Sequence, residues 1–168
     1  MKKNIFLIGF MGSGKSTVAA RLSERLSMER VEMDQMIVEQ AGMAISDIFA
    51  KYGEDHFRDM ESNTILALQE KGNTIVSCGG GVVLREANTG YMKQNGCVVL
   101  LTAEPETIYE RVKDSTERPL LNNNMNVEYI RGMMEKRRER YLAAADLVIV
   151  TDGKDVDRIC DEIIGGLK

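Results

Sequence analysis

The chain has 168 residues, 43% of them apolar and 29% charged, which is enough apolar material for one domain to bury a core without disulfide or metal staples. Its net charge of −4 excludes a broad nucleic-acid or anionic-membrane surface, because such partners are held by clustered Lys and Arg. Three widely spaced cysteines, Cys78, Cys97 and Cys160, make neither a disulfide framework nor a zinc pattern, and no run of about twenty apolar residues offers a membrane span. Met1-Lys2-Lys3 leads straight into an apolar run without a signal-type segment. The expectation is a single cytoplasmic domain over residues 1–168, with no nucleic-acid or membrane partner. Nothing demands a partner chain, so a monomer is expected.

Five short apolar runs read as strands: Ile5 to Ile8, Val31 to Met33, Thr74 to Val76, Val98 to Leu101 and Leu147 to Val150. Longer segments with helical spacing separate them, among them Val18/Leu22/Leu26 and Ile159/Ile163/Leu167. This alternation predicts an α/β fold, a parallel sheet covered on both faces. In such a sheet functional loops gather beyond the carboxyl ends of the strands, so the polar residues after each run carry the functional reading.

After the first run comes Gly9-Phe10-Met11-Gly12-Ser13-Gly14-Lys15-Ser16, a complete match to G-x-x-x-x-G-K-[ST] in the strand-then-helix setting that the motif requires. Backbone N–H groups of the turn and the positive end of the helix dipole make a polyphosphate site there. Gly12, Ser13, Gly14, Lys15, Ser16 and Thr17 are its candidate nucleotide-binding residues. Lys15 is expected to reach the β- and γ-phosphates, and Ser16 to ligate Mg²⁺.

After the second run, Glu32 and Asp34 lie on one side of an extended chain, which suits Mg²⁺ shell work or a base aimed at a substrate hydroxyl. Asp34 would equally cap a helix over 35–40. Next, Ser46 or Asp47 starts a short helix that Gly53 closes. A second helix carries Arg58 and Glu61 three residues apart, either an aimed arginine or an ordinary exposed ion pair. His56, among charges, reads as solvated.

The third run ends in Gly79-Gly80-Gly81 with no closing Asp, so the usual second Mg²⁺ motif of phosphate-loop NTPases is absent in its ordinary form. Three glycines after a buried strand indicate either backbone approaching a ligand or a plain turn. Cys78 reads as a buried small side chain. Residues 113–126 are polar and turn-rich, which reads as a lid. Arg118 in it is either an arginine inserted over the phosphates or a solvated loop residue. The charged segment from Glu135 to Tyr141 reads mostly as a solvated face, of whose arginines only one or two need face inward.

Together these pieces resemble the shikimate kinase family over nearly the whole chain. The carrying residues are the glycine loop, Asp34, Ile48-Phe49, Gly53-Glu54 with Phe57-Arg58 and Glu61, Gly79-Gly80-Gly81, Arg118-Pro119-Leu120-Leu121, and Arg137 four residues before Tyr141. The resemblance implies a three-layer α/β/α fold with a five-stranded parallel sheet in the order 2-3-1-4-5. It also implies ATP as co-substrate with Mg²⁺, and phosphorylation of the 3-hydroxyl of shikimate on the route to chorismate.

By the same resemblance, shikimate is held by Asp34, Arg58, the Gly79, Gly80 and Gly81 turn and Arg137, in a pocket lined by Phe49 and Phe57 within an acceptor segment of about 34–61. Catalysis falls to Lys15, Asp34 and Arg118, with Arg118 on the nucleotide and Arg111 on its adenine side. The family commonly has Asp where this chain has Glu32, which is assigned to Mg²⁺ through a water. Two rival readings follow from the residues: a kinase for another hydroxy acid such as gluconate, and a nucleotide-binding module without catalysis.

Overall fold

The computed structural model describes residues 3–113 and 126–167. Five strands, β1 (Asn4–Ile8), β2 (Glu29–Glu32), β3 (Thr74–Ser77), β4 (Gly96–Thr102) and β5 (Leu147–Val150), form one sheet in the order β2-β3-β1-β4-β5, with every pairing parallel. The expected architecture and strand order are both present.

Alternation along β1 divides the core. Phe6 and Ile8 point to a layer that includes Val76, Val98, Ile65, Leu68 and Met92. Ile5 and Leu7 point to the opposite layer, with Val18, Leu22, Val99, Ile159 and Ile163. The first layer is covered by α4 (Glu54–Leu68), α5 (Glu86–Asn95) and α7 (Val127–Ala144). The second is covered by α1 (Lys15–Leu26) and α8 (Val156–Gly166). Buried on both faces, the central strands read as unbroken apolar runs.

Two smaller clusters extend this core past the carboxyl ends of the strands. Ile37 of α2 (Met33–Ala41), Ile48 of α3 (Ile45–Tyr52) and Phe57 of α4 pack together as an arm on one side. Phe10, Ala103, Ile130, and Ile108 and Val112 of α6 (Pro105–Val112) pack on the other. The cleft between these clusters lies over the first turn of the chain.

Three boundary differences bear on the site. The second strand is Glu29–Glu32, because its edge position needs only one neighbour's ladder, and Glu29 and Arg30 pair with Thr74 and Ile75 although both are exposed. Met33 is the first residue of α2, so Asp34 stands in a helical first turn and not on extended chain beside Glu32. Asp34 does not cap that helix either, since Glu32 occupies the cap position. Gly53 closes α3 as expected, while α3 begins at Ile45 with Ala44 before it, without the Ser46 or Asp47 cap.

Candidate active site

The segments that follow β1, β2, β3 and β5 meet at one cleft of about 1190 Å³, to which α6 after β4 adds Arg111; it is lined by the glycine loop, Glu32, Asp34, Phe49, Phe57, Arg58, Glu61, the Gly79–Gly81 turn, Arg111, Arg137 and Thr151. At its floor, Gly14 takes φ 99°, a left-handed conformation that a side chain would strain, and there the loop turns into α1. Lys15 is the first residue of α1, and its Nζ donates to the carbonyls of Gly9 at 2.6 Å and Phe10 at 3.1 Å. The lysine is thus folded back over its own loop, across the helix N-terminus where an anion is favoured. Ser16 and Thr17, one and two residues further along, are exposed at the cleft wall.

The Ser16 hydroxyl donates to Glu32 Oε2 at 3.0 Å. Glu32 Oε1 is buried without a hydrogen-bond partner among the described residues. A hydroxyl and a carboxylate held together, with one carboxylate oxygen left over, is the oxygen-donor chemistry that Mg²⁺ takes beside a polyphosphate. The residues present therefore fit the ion.

At the other end of the cleft lies a buried charge network. Arg58 is 6% exposed and Glu61 1%, and Arg58 Nη1 donates to Glu61 Oε1 at 2.7 Å. Its Nη2 and Nε donate to Glu54 Oε2 at 3.2 and 3.3 Å. The exposed-pair reading of Arg58 is therefore wrong. Packing of α4 against the glycine turn takes the guanidinium out of water. Burial works against its charge, but Glu61 and Glu54 outweigh that and raise its pKa further. Burial also pushes the Glu61 carboxyl up against the opposing pull of Arg58, and the nearby Asp34 charge adds to the rise.

The glycine turn is packed by these same groups. A Cβ on Gly79 would lie 2.6 Å from Glu61 Oε2 and 3.0 Å from Asp34 Oδ1, and one on Gly81 would lie 2.5 Å from Arg58 Cζ. A side chain at either position would have to displace the end of Glu61, Asp34 or Arg58, so the backbone of the turn lies close against these charged groups. Arg137, 6% exposed on α7, has its guanidinium 5.8 Å from the Phe10 ring centroid. Its Nη1 is buried with no hydrogen-bond partner among the described residues. Two guanidinium groups thus face one small space, a device suited to a planar carboxylate. Phe49 and Phe57, with ring centroids 4.9 Å apart, wall that space.

Such a cleft has the glycine loop at one end and two buried guanidinium groups at the other. The sequence model of the shikimate kinase family matches residues 11–168. The chain belongs to the shikimate kinase family. It is 43% identical over 166 residues to a shikimate kinase of Persephonella marina, covering 99% of both chains. Among solved structures it is similar to shikimate kinase from Acinetobacter baumannii in complex with shikimate, with a TM-score of 0.93 and 30% identity over 98% of this chain and 92% of that one. It is also similar to shikimate kinase from Aquifex aeolicus, with a TM-score of 0.84 and 37% identity over 98% and 95% of the two chains.

Of the residues that the family pattern singles out, Gly12 to Thr17, Glu32, Asp34, Phe49, Phe57, Arg58, Gly79 to Gly81, Arg111 and Arg137 all line this one cleft. Arg118 and most of the expected lid over 113–126 lie outside the described residues. Cys78 is buried, as expected, and burial pushes its thiol far up. His56 is exposed. The sequence reading named Arg111 by resemblance but not the bonds that hold this end of the cleft. Arg111 Nη1 donates to the Gly12 carbonyl at 3.0 Å, and Nη2 to Thr151 Oγ1 at 3.3 Å. Asp152 accepts from the Thr107 hydroxyl at 2.5 Å and from the Glu104 amide at 3.1 Å. The one available signal was position, since Thr151 and Asp152 directly follow the fifth apolar run.

Proposed function

We propose that this chain, as a member of the shikimate kinase family, transfers the γ-phosphoryl group of ATP to the 3-hydroxyl of shikimate, giving shikimate 3-phosphate and ADP. The observation that carries this reading is the placement of Lys15, Asp34, Arg58 and Arg137 around one continuous cleft. Nucleotide phosphates take the cradle formed by Gly12 to Thr17, and the base end lies toward Arg111 and Thr151. Lys15 exchanges the Gly9 and Phe10 carbonyls for phosphate oxygens as the nucleotide enters.

Arg58 and Arg137 hold the carboxylate of the acceptor, while Phe49 and Phe57 shield its ring from water. Asp34 accepts the proton of the attacking hydroxyl. As that oxygen bonds to phosphorus, the bond from phosphorus to the ADP oxygen breaks, and ADP leaves as the anion. Ser16 and Glu32 would hold Mg²⁺, which supplies charge neutralisation on the phosphates. Arg118 is assigned by the family pattern to the charge on the transferring group. The enzyme acts as a cytoplasmic monomer. Among the described residues no helix is long and apolar enough to cross a membrane.

The reading is tested by ADP release from ATP with and without shikimate, and with gluconate and other hydroxy acids in its place. Shikimate alone should accelerate release by orders of magnitude. Preference for another acid would move the assignment within the same cleft, and ADP release that no acceptor stimulates would favour the non-catalytic module.

The fit of the glycine turn gives a sharper expectation. In Gly81→Ala the new methyl group must displace the Arg58 guanidinium. The KM for shikimate should rise about 10- to 100-fold, the scale of a lost charge-assisted hydrogen bond, with the KM for ATP within about twofold. Acceptor titrations at saturating ATP measure the first and nucleotide titrations the second.

A further inference from the structure

Tyr141 stands where two acceptor-binding elements meet. It is buried on α7, one turn after Arg137, and its hydroxyl donates to the carbonyl oxygen of Gly80. Burial pushes the phenol's pKa up, with the Arg137 charge the largest opposing influence, so the hydroxyl stays a neutral donor at working pH. A core tyrosine needs only some partner for its hydroxyl. This one takes the backbone of a turn that has no side chains of its own to hold it.

Peptide geometry makes that contact directional. The described residues contain no cis peptide bond, so the Gly80 carbonyl and the Gly81 N–H point in opposite directions from one plane. Drawing the carbonyl toward α7 turns the Gly81 N–H away from α7 and fixes the plane from which the Gly81 α-carbon departs beside Arg58. Gly80 also lies against its neighbours on both sides. A Cβ there would be 3.4 Å from the Met11 amide nitrogen and 3.8 Å from Arg137 Nη1. Gly80 thus lies between Arg137, the Tyr141 hydroxyl and the start of the phosphate loop.

We propose that Tyr141 is a positioning residue for the acceptor acid: its hydroxyl locks the Gly80–Gly81 peptide against Arg137, so that backbone and guanidinium meet the acid at a fixed separation. This rests on the shikimate reading above. Tyr141→Phe removes the hydroxyl and keeps the ring in the core. The KM for shikimate should rise about five- to tenfold, the scale of one lost hydrogen bond, while the KM for ATP stays within about twofold and the Tm within a few degrees. An unchanged KM for shikimate, or an equal rise in both KM values, would overturn the proposal.

A second measurement does not depend on that variant folding. In the chain labelled with 3-fluorotyrosine, the Tyr141 fluorine signal is assigned by replacing the other four of its five tyrosines, Tyr52, Tyr91, Tyr109 and Tyr129, with Phe in turn. It should shift on adding shikimate without nucleotide, and a signal that does not move contradicts the role. A parent chain with no shikimate-dependent ADP release would bring down the functional reading, and this proposal with it. A parent chain that has it, matched by Tyr141→Phe, would bring down this proposal alone.

Discussion

Asp34→Asn is expected to lower kcat by about 10²- to 10⁴-fold, the range for losing a positioned general base, while ATP binding stays within about twofold of the parent. Asn keeps the size of the side chain and can still hydrogen-bond the acceptor hydroxyl, but it cannot take the proton at neutral pH. The carboxylate is held by the first turn of α2 and lies beside Gly79, within the same cleft as Lys15 and Glu32. Because the lost interaction belongs to the transition state, the KM for shikimate should change far less than kcat. Steady-state kinetics with a separate nucleotide titration gives both quantities, and near-normal turnover would remove Asp34 from the chemistry.

Arg58→Ala is expected to have two effects with different causes. Losing the guanidinium removes one of the two forks offered to the acceptor carboxylate, so the KM for shikimate should rise by about 10- to 100-fold or more with ATP binding almost unaltered. The same change leaves Glu61 buried with its principal cation gone, and breaking a buried pair on one side costs about 3–5 kcal/mol. For a chain of this size that lowers the Tm by about 6–20 °C.

The instability should depend on pH in a definite sense. Burial already raises the Glu61 carboxyl, and Arg58 is what pulls it back. Without Arg58 the folded-state pKa rises further above the unfolded value, so the folded state binds the proton more tightly. Stability of the variant is then fully present below the unfolded pKa and is lost as pH rises through the folded one. The Tm deficit relative to the parent should accordingly be smaller near pH 5 than at pH 8. Glu61→Gln added to Arg58→Ala should recover much of the stability and none of the acceptor binding. Equal loss of ATP and shikimate affinity in the double variant would contradict the assignment of Arg58.

What the sequence disclosed follows from how local each feature is. The phosphate loop is a run of eight consecutive residues whose glycine spacing and flanking strand and helix fix its shape, so it could be read outright. The central strands were equally plain because burial on both faces leaves unbroken apolar runs such as Val98 to Leu101. The second strand blurred because it lies at the sheet edge, where Glu29 and Arg30 keep the ladder while facing solvent.

Arg58 carries no local mark of burial. Its i,i+3 pairing with Glu61 looks the same on any solvated helix, and only the return of the chain at Gly79–Gly81 excludes water from it. The bond from Tyr141 to Gly80 spans 61 residues, and the bonds from Arg111 to Gly12 and Thr151 span 99 and 40, so neither arrangement has a spacing to read. The resemblance to the family supplied what periodicity could not, by naming positions distant in sequence as one site.

The most direct test of the central claim is a crystal structure with shikimate and a nonhydrolysable ATP analogue bound together. Lys15 should lie on the γ-phosphate, Arg58 and Arg137 on the acid's carboxylate, and an Asp34 oxygen within hydrogen-bond distance of the 3-hydroxyl that faces the γ-phosphorus. An acceptor bound away from Arg58 and Arg137, or one whose 3-hydroxyl points away from the γ-phosphate with Asp34 out of reach, would contradict it.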